Sequence, residues 1–176
     1  MKKLHNWLAA AAILVIIFVT IYAVVQQSQR NNANYPQIQL AEDTAASLNS
    51  GVKPATLVSG KVDISSSLAP FTIIYNLSGR VVAGSGYLNG SIPSIPIGVL
   101  SSSKNKTYNF VTWQPQGNTR IAVVSVAANN YYVASGRSLT EVEKNENKTF
   151  ALALLGGLAS IVVLAAAFLV DQKKSL

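Results

Sequence analysis

FTIIYNLSGRVVAGS, residues 71–85, decides how the chain folds. Residues 71–76 are dense in β-branched and aromatic side chains, Asn76-Leu-Ser-Gly79 has turn composition, and residues 80–83 resume the strand pattern. Two short strands joined this tightly pair antiparallel. The same pattern recurs on either side, at residues 56–63 upstream and at 108–114 (YNFVTWQ), 120–127 (RIAVVSVA) and 131–135 (YYVAS) downstream. Residues 115–118 and 128–130 are the turns of a three-strand meander. Between the first pair and the meander, residues 84–106 hold Gly84, Gly86, Gly90, Pro93, Pro96, Gly98 and a Ser-rich patch. That segment is too irregular for a strand and too long for a hairpin loop, so it is expected to cross and cover the sheet.

Ahead of the strands the period changes. Ile38, Ala41, Ala45 and Leu48 recur at three- and four-residue spacing, Pro36 suits a first turn, and Asn49-Ser50-Gly51 is a stop signal. This predicts an amphipathic helix over 36–48 that packs on the sheet. Residues 26–33 (QQSQRNNA) are polar and read as a juxtamembrane extension or linker.

The ends of the chain are of another kind. Residues 150–170 (FALALLGGLASIVVLAAAFLV) carry no charge, and at 1.5 Å of rise per residue such a stretch matches a hydrocarbon layer of about 30 Å. Residues 7–25 (WLAAAAILVIIFVTIYAVV) are longer than a signal-peptide core and lack a well-placed cleavage site, which favours an uncleaved anchor. Trp7 and Tyr22 suit the two membrane interfaces. Upstream of the second span, Ser138 with Glu141 three residues on is a capping-box pattern, and no Pro or Gly interrupts 139–155, so one helix is expected to run from stalk into span. Inside the span Gly156 and Ser160 form a small-xxx-small pattern that lets another helix pack closely.

The expected organisation is therefore a cytoplasmic N-terminus (1–6), a first span (7–25), an extracytoplasmic domain (26–137), a helical stalk (138–149), a second span (150–170) and a cytoplasmic tail (171–176). Both termini are placed in the cytoplasm of a two-pass plasma-membrane protein. The net charge of +7 is explained partly by Lys2, Lys3, Lys173 and Lys174 beside the spans, and the other bases are scattered singly. No basic stripe with interleaved aromatics argues for nucleic acid. The absence of cysteine excludes disulfides, thiolate metal sites and a thiol nucleophile.

A helix, two strands, a long crossing segment and a three-strand meander, held between two spans, resemble the PAS-like (Cache-type) extracytoplasmic sensor domains of bacterial two-component histidine kinases. Residues 71–85 are similar to the strand, turn and second strand of such domains, and residues 133–143 (VASGRSLTEVE) to a last strand running into a signalling helix. The resemblance covers about residues 34–149. It implies an α+β fold with a PAS-like antiparallel sheet of five to six strands, and a small-molecule ligand enclosed between the sheet and the crossing segment. With only residues 171–176 after the second span, no HAMP linker, phosphoacceptor histidine or ATP-binding domain is expected.

Little in the sequence supports catalysis. His5 is the only histidine, the acids at 141, 143 and 146 belong to the stalk, and the adjacent Glu42 and Asp43 point in different directions on a helix. No enzyme activity, cofactor or metal is expected. The residues suited to a ligand are Tyr75, Tyr87, Trp113 and Arg120, an arginine with aromatic neighbours fitting a small anion. Four N-x-[ST] sequons, at Asn76, Asn89, Asn105 and Asn147, are what an Asn-, Ser- and Thr-rich chain produces by chance. The expected function is a membrane-anchored sensor module that passes a signal through its stalk and spans to a partner membrane protein or within a homodimer. The alternative is a scaffolding domain of the cell envelope without a small-molecule ligand.

Overall fold

The computed structural model describes residues 2–117 and 119–174; Met1, Asn118, Ser175 and Leu176, with the end of the expected 115–118 turn and the chain termini, lie outside the described residues, as do the side chains of Lys2, Lys3, Leu4, Arg30, Ala33 and Lys174. In chain order the elements are α1 (Lys2–Asn49), α2 (Pro54–Leu57), β1 (Val62–Asp63), β2 (Phe71–Asn76), β3 (Val81–Gly84), β4 (Gly86–Tyr87), α3 (Ile97–Ser101), a 3₁₀ turn (Ser102–Asn105), β5 (Asn109–Trp113), β6 (Ile121–Ala128), β7 (Tyr131–Ser138) and α4 (Thr140–Lys174). They divide into two units, residues 32–141 and residues 1–31 with 142–176.

The first unit is α+β. Its main sheet has five antiparallel strands in the order β3-β2-β7-β6-β5, and β1 and β4 form a separate parallel pair. The β2–β3 connection is the expected turn: Asn76 Oδ1 accepts from the Ser78 and Arg80 amides at 3.0 and 2.9 Å, and Gly79 takes a positive φ of 77°. β2 lies inside the sheet, and Phe71 through Tyr75 are all buried because both faces are covered. Alternation along the strands separates two cores. Phe71, Ile73, Tyr75, Ile121, Val123, Tyr132 and Ala134 face Ile64, Leu88, Ile95 and Leu100 of the segments that cross the sheet. Ile74, Val124, Ala128 and Val133 face Ala41, Ala45 and Leu48 of α1.

Several boundaries differ from the sequence expectation. Residues 56–63 are not one strand: Pro54, whose fixed φ suits a first helical position, opens α2, and only Val62 and Asp63 are extended. Residues 26–33 are helical, and Pro36 lies inside α1 rather than at its start. A proline interrupts one backbone hydrogen bond, and no glycine among residues 26–35 adds a second break. The segment 84–106 is more regular than its composition suggests, containing β4, α3 and the 3₁₀ turn. β7 extends to Ser138, because Ile121 pairs with Ser138 and the Leu139 amide donates to Arg120 O at 2.9 Å.

The second unit is a helix pair. Residues 7–29 of α1 run against α4 in antiparallel register: Trp7 meets Phe168 edge-on at 5.8 Å, Tyr22 meets Phe150 at 5.6 Å, and Gln29 Nε2 donates to Thr149 Oγ1 at 3.2 Å. Both helices are long and apolar enough to cross a membrane. Their outer faces are apolar and open, with Leu8, Ile16, Leu152 and Val163 at least 60% exposed.

Candidate functional site

The four residues expected to line a ligand pocket have separate surroundings. Tyr75 is fully buried, and its hydroxyl donates to Pro93 O at 3.3 Å. Burial raises its phenol well above the usual tyrosine range, with the Ile95 backbone amide pulling weakly the other way. Tyr75 therefore fastens the crossing segment to the sheet as a core residue. Trp113 packs half-buried against the same core from β5. Tyr87 sits half-buried on β4 with Lys61 Nζ 5.3 Å from its ring centre. The Arg120 side chain is exposed, just before β6. Tyr75 and Trp113 thus share one core, while Tyr87 and Arg120 lie on other elements outside it.

At the entry to α4, Ser138 is the last residue of β7, not a free cap. Its hydroxyl lies 2.9 Å from Thr140 Oγ1 and accepts from the Thr140 amide at 3.3 Å, and α4 begins at Thr140, one residue later than a cap at 138 would suggest. Glu141 is half-buried in the first turn. Within the helix pair, Gly156 faces Phe18 of α1, where an added Cβ would lie 3.1 Å from Phe18 Cε1. The Ser160 hydroxyl donates to Gly156 O at 2.8 Å, within α4.

Other features were hidden from sequence reasoning. Phe71 is wedged between two glycines: a Cβ on Gly86 would come within 2.4 Å of Phe71 Cδ2, and one on Gly136 within 2.6 Å of Cζ. Thr72 and Ser135, paired in register, share a buried hydroxyl–hydroxyl hydrogen bond of 2.8 Å, and Ser85 Oγ accepts from the Thr72 amide at 3.0 Å. Gln37 is 1% exposed, and among the described residues its Oε1 has no hydrogen-bond partner. Tyr108 donates to Glu42 of α1, and that carboxylate raises the Tyr108 phenol above its ordinary value. The only sequence signal for these contacts is small or polar residues inside apolar strands. A pattern of that kind does not name partners.

Among the described residues, no group of three His, Asp or Glu side chains is placed to hold a metal ion. No protein-family model, curated protein or solved structure matches the chain.

Proposed function

We propose that the chain is a two-pass membrane protein carrying a PAS-like domain on the extracytoplasmic side, and that this domain works through contacts with proteins rather than by enclosing a small molecule. The observation that carries the second half is Tyr75. Fully buried and bonded to the crossing segment, it occupies with Ile73, Ile95, Leu100 and Tyr132 the space where the resemblance implies a ligand. The anchoring half is supported by two helices of spanning length whose outer faces are apolar. Lysines at 2, 3, 173 and 174 favour cytoplasmic termini.

The sensor reading has one observation of its own. The hairpin β2–β3, the crossing segment, the meander β5–β6–β7 and the passage from β7 into α4 follow the element order that carried the resemblance. The two readings separate on the full chain in detergent. A metabolite bound at a hundred times its dissociation constant would stabilise the fold by about 2.7 kcal/mol, several degrees in a domain of this size. No shift across a broad library is expected, with a protein partner retained in mild detergent whether or not metabolites are added. A reproducible shift would return the domain to the sensor class.

Because the chain has no cysteine, single-cysteine variants report topology cleanly. Ser66→Cys, on an exposed loop, should react with a membrane-impermeant maleimide on intact cells, and a cysteine appended after Leu176 should react only after lysis. The reverse pattern would overturn the orientation.

A further inference from the structure

The two edges of the main sheet are built differently. β3 carries a register shift opposite Ile74/Tyr75, and Leu57 and Val58 pack in the same core as its Ala83. Bulges and covering segments are the devices by which edges avoid pairing with other chains. β5 has none of them. Its pairing with β6 is regular over all five residues, and residues 107–119 carry no charge.

The direction of the free backbone groups at β5 follows from β6. The Leu139 amide bonds to Arg120 O, so even-numbered residues of β6 exchange hydrogen bonds with β7 and odd-numbered ones with β5. Ser125, Val123 and Ile121 pair with Asn109, Val111 and Trp113. Phe110 and Thr112 therefore point their N–H and C=O groups away from the sheet, and among the described residues nothing pairs with them. Phe110 also leaves half of its side chain exposed, against the Tyr108 ring at 5.8 Å.

We infer that the β5 edge is a homodimerisation seam, at which β5 of a second copy adds antiparallel to form one continuous sheet across two chains. This deepens the protein-contact reading above by naming the partner. A second copy fits for three reasons. With no charge on residues 107–119, the strand meets itself without the like-charge repulsion that charged edges use to prevent self-pairing. The pattern is also self-complementary: with the two-fold axis at Val111, Phe110 lies opposite Thr112 of the second copy, an aromatic and β-branched pair whose outward N–H and C=O groups meet in register. Anchoring in one bilayer then holds copies at high effective concentration, so a five-residue seam suffices.

Disulfide cross-linking of the full chain in membranes tests this. Val111→Cys alone, and Phe110→Cys mixed with Thr112→Cys, are oxidised mildly beside Val82→Cys on the β3 edge, Phe110, Thr112 and Val82 being exposed sites that a cysteine leaves folded. A cross-linked dimer is expected several-fold more abundant at β5 than at Val82, strongest at Val111, where the facing Cα atoms of a non-hydrogen-bonded pair lie within disulfide reach. In Val111→Cys, the added change Phe110→Pro removes an outward N–H without touching the β6 ladder, and it should abolish the cross-link. Dimer no greater at β5 than at Val82, a product whose mass reveals a different protein, or a cross-link indifferent to Phe110→Pro would each overturn the seam. Surface labelling at Ser66→Cys is unaffected by any of these results, so loss of the seam and loss of the anchoring reading are told apart.

Discussion

The two faces of the sheet are packed by opposite means. Against the crossing segment the core is made of large side chains, with Tyr75, Tyr132, Ile73, Ile95 and Leu100 at most 2% exposed. Against α1 the helix contributes Ala41 and Ala45, 0% and 5% exposed, which bring its backbone close to Ile74, Val124 and Val133. A regular helix lies near a sheet by being small where it touches. An irregular segment leaves uneven gaps, and large side chains fill them. The face beneath the crossing segment is thus the one filled by the bulkiest residues.

The sharpest way to break this contrast is to empty the crossing-segment side. Leu100, in the second half of α3, is 0% exposed in the larger core. Leu100→Ala should cost about 2–5 kcal/mol, the upper end applying if the segment cannot collapse into the gap. Denaturant unfolding of the full chain in detergent, followed by the fluorescence of Trp113 in β5, measures it. A loss below 1 kcal/mol would mean that the segment is loosely held and the face can open.

On the helix side the same kind of change should be tolerated and the opposite kind should not. Ala41→Leu forces α1 off the sheet and should cost about 1–3 kcal/mol, whereas the same leucine at exposed Asp43 has no packing penalty. Gly136→Ala belongs to the other face and gives a matching loss of about 1–3 kcal/mol, since its Cβ would meet the buried ring of Phe71, which has no room to withdraw. If Ala41→Leu were neutral, the close approach of helix to sheet would not be what holds that face.

Both faces were partly legible in the sequence, for different reasons. Ile38, Ala41, Ala45 and Leu48 state their shared face by spacing alone, and the strands at 71–76, 108–114, 120–127 and 131–135 state theirs by β-branched and aromatic content. The crossing segment has no such period. Ile95 and Leu100 are core residues because of where the chain brings them, which glycines and prolines do not encode, so β4, α3 and the 3₁₀ turn could not be read in advance. Pro36 misled for a local reason: it is equally compatible with a helix start and with a helix interior that forgoes one hydrogen bond. Of the candidate ligand residues, Tyr75 and Trp113 were singled out for aromatic character, and in the structure Tyr75 is a buried core residue with Trp113 packed half-buried against the same core. The β5 edge was visible only as an uncharged run, because which backbone groups point outward depends on the register of three strands.

The smallest expected effect concerns a single polar contact on the bulky face. Tyr75→Phe keeps the ring and removes the hydroxyl that donates to Pro93 O, costing about 0.5–1.5 kcal/mol at neutral pH. The loss should depend on pH in a definite direction. An unfolded tyrosine ionises near pH 10, while burial holds Tyr75 neutral above that pH in the folded protein. The folded state therefore keeps a proton that the unfolded state releases, and Tyr75 contributes its full stability below about pH 10 and loses it as the pH rises further. Phenylalanine has no proton to release. The gap between Tyr75→Phe and the native chain should narrow above about pH 10 and then reverse, as followed by unfolding of both chains across the alkaline range. A gap that stayed constant with pH would mean that water reaches the hydroxyl, and that the face beneath the crossing segment is open after all.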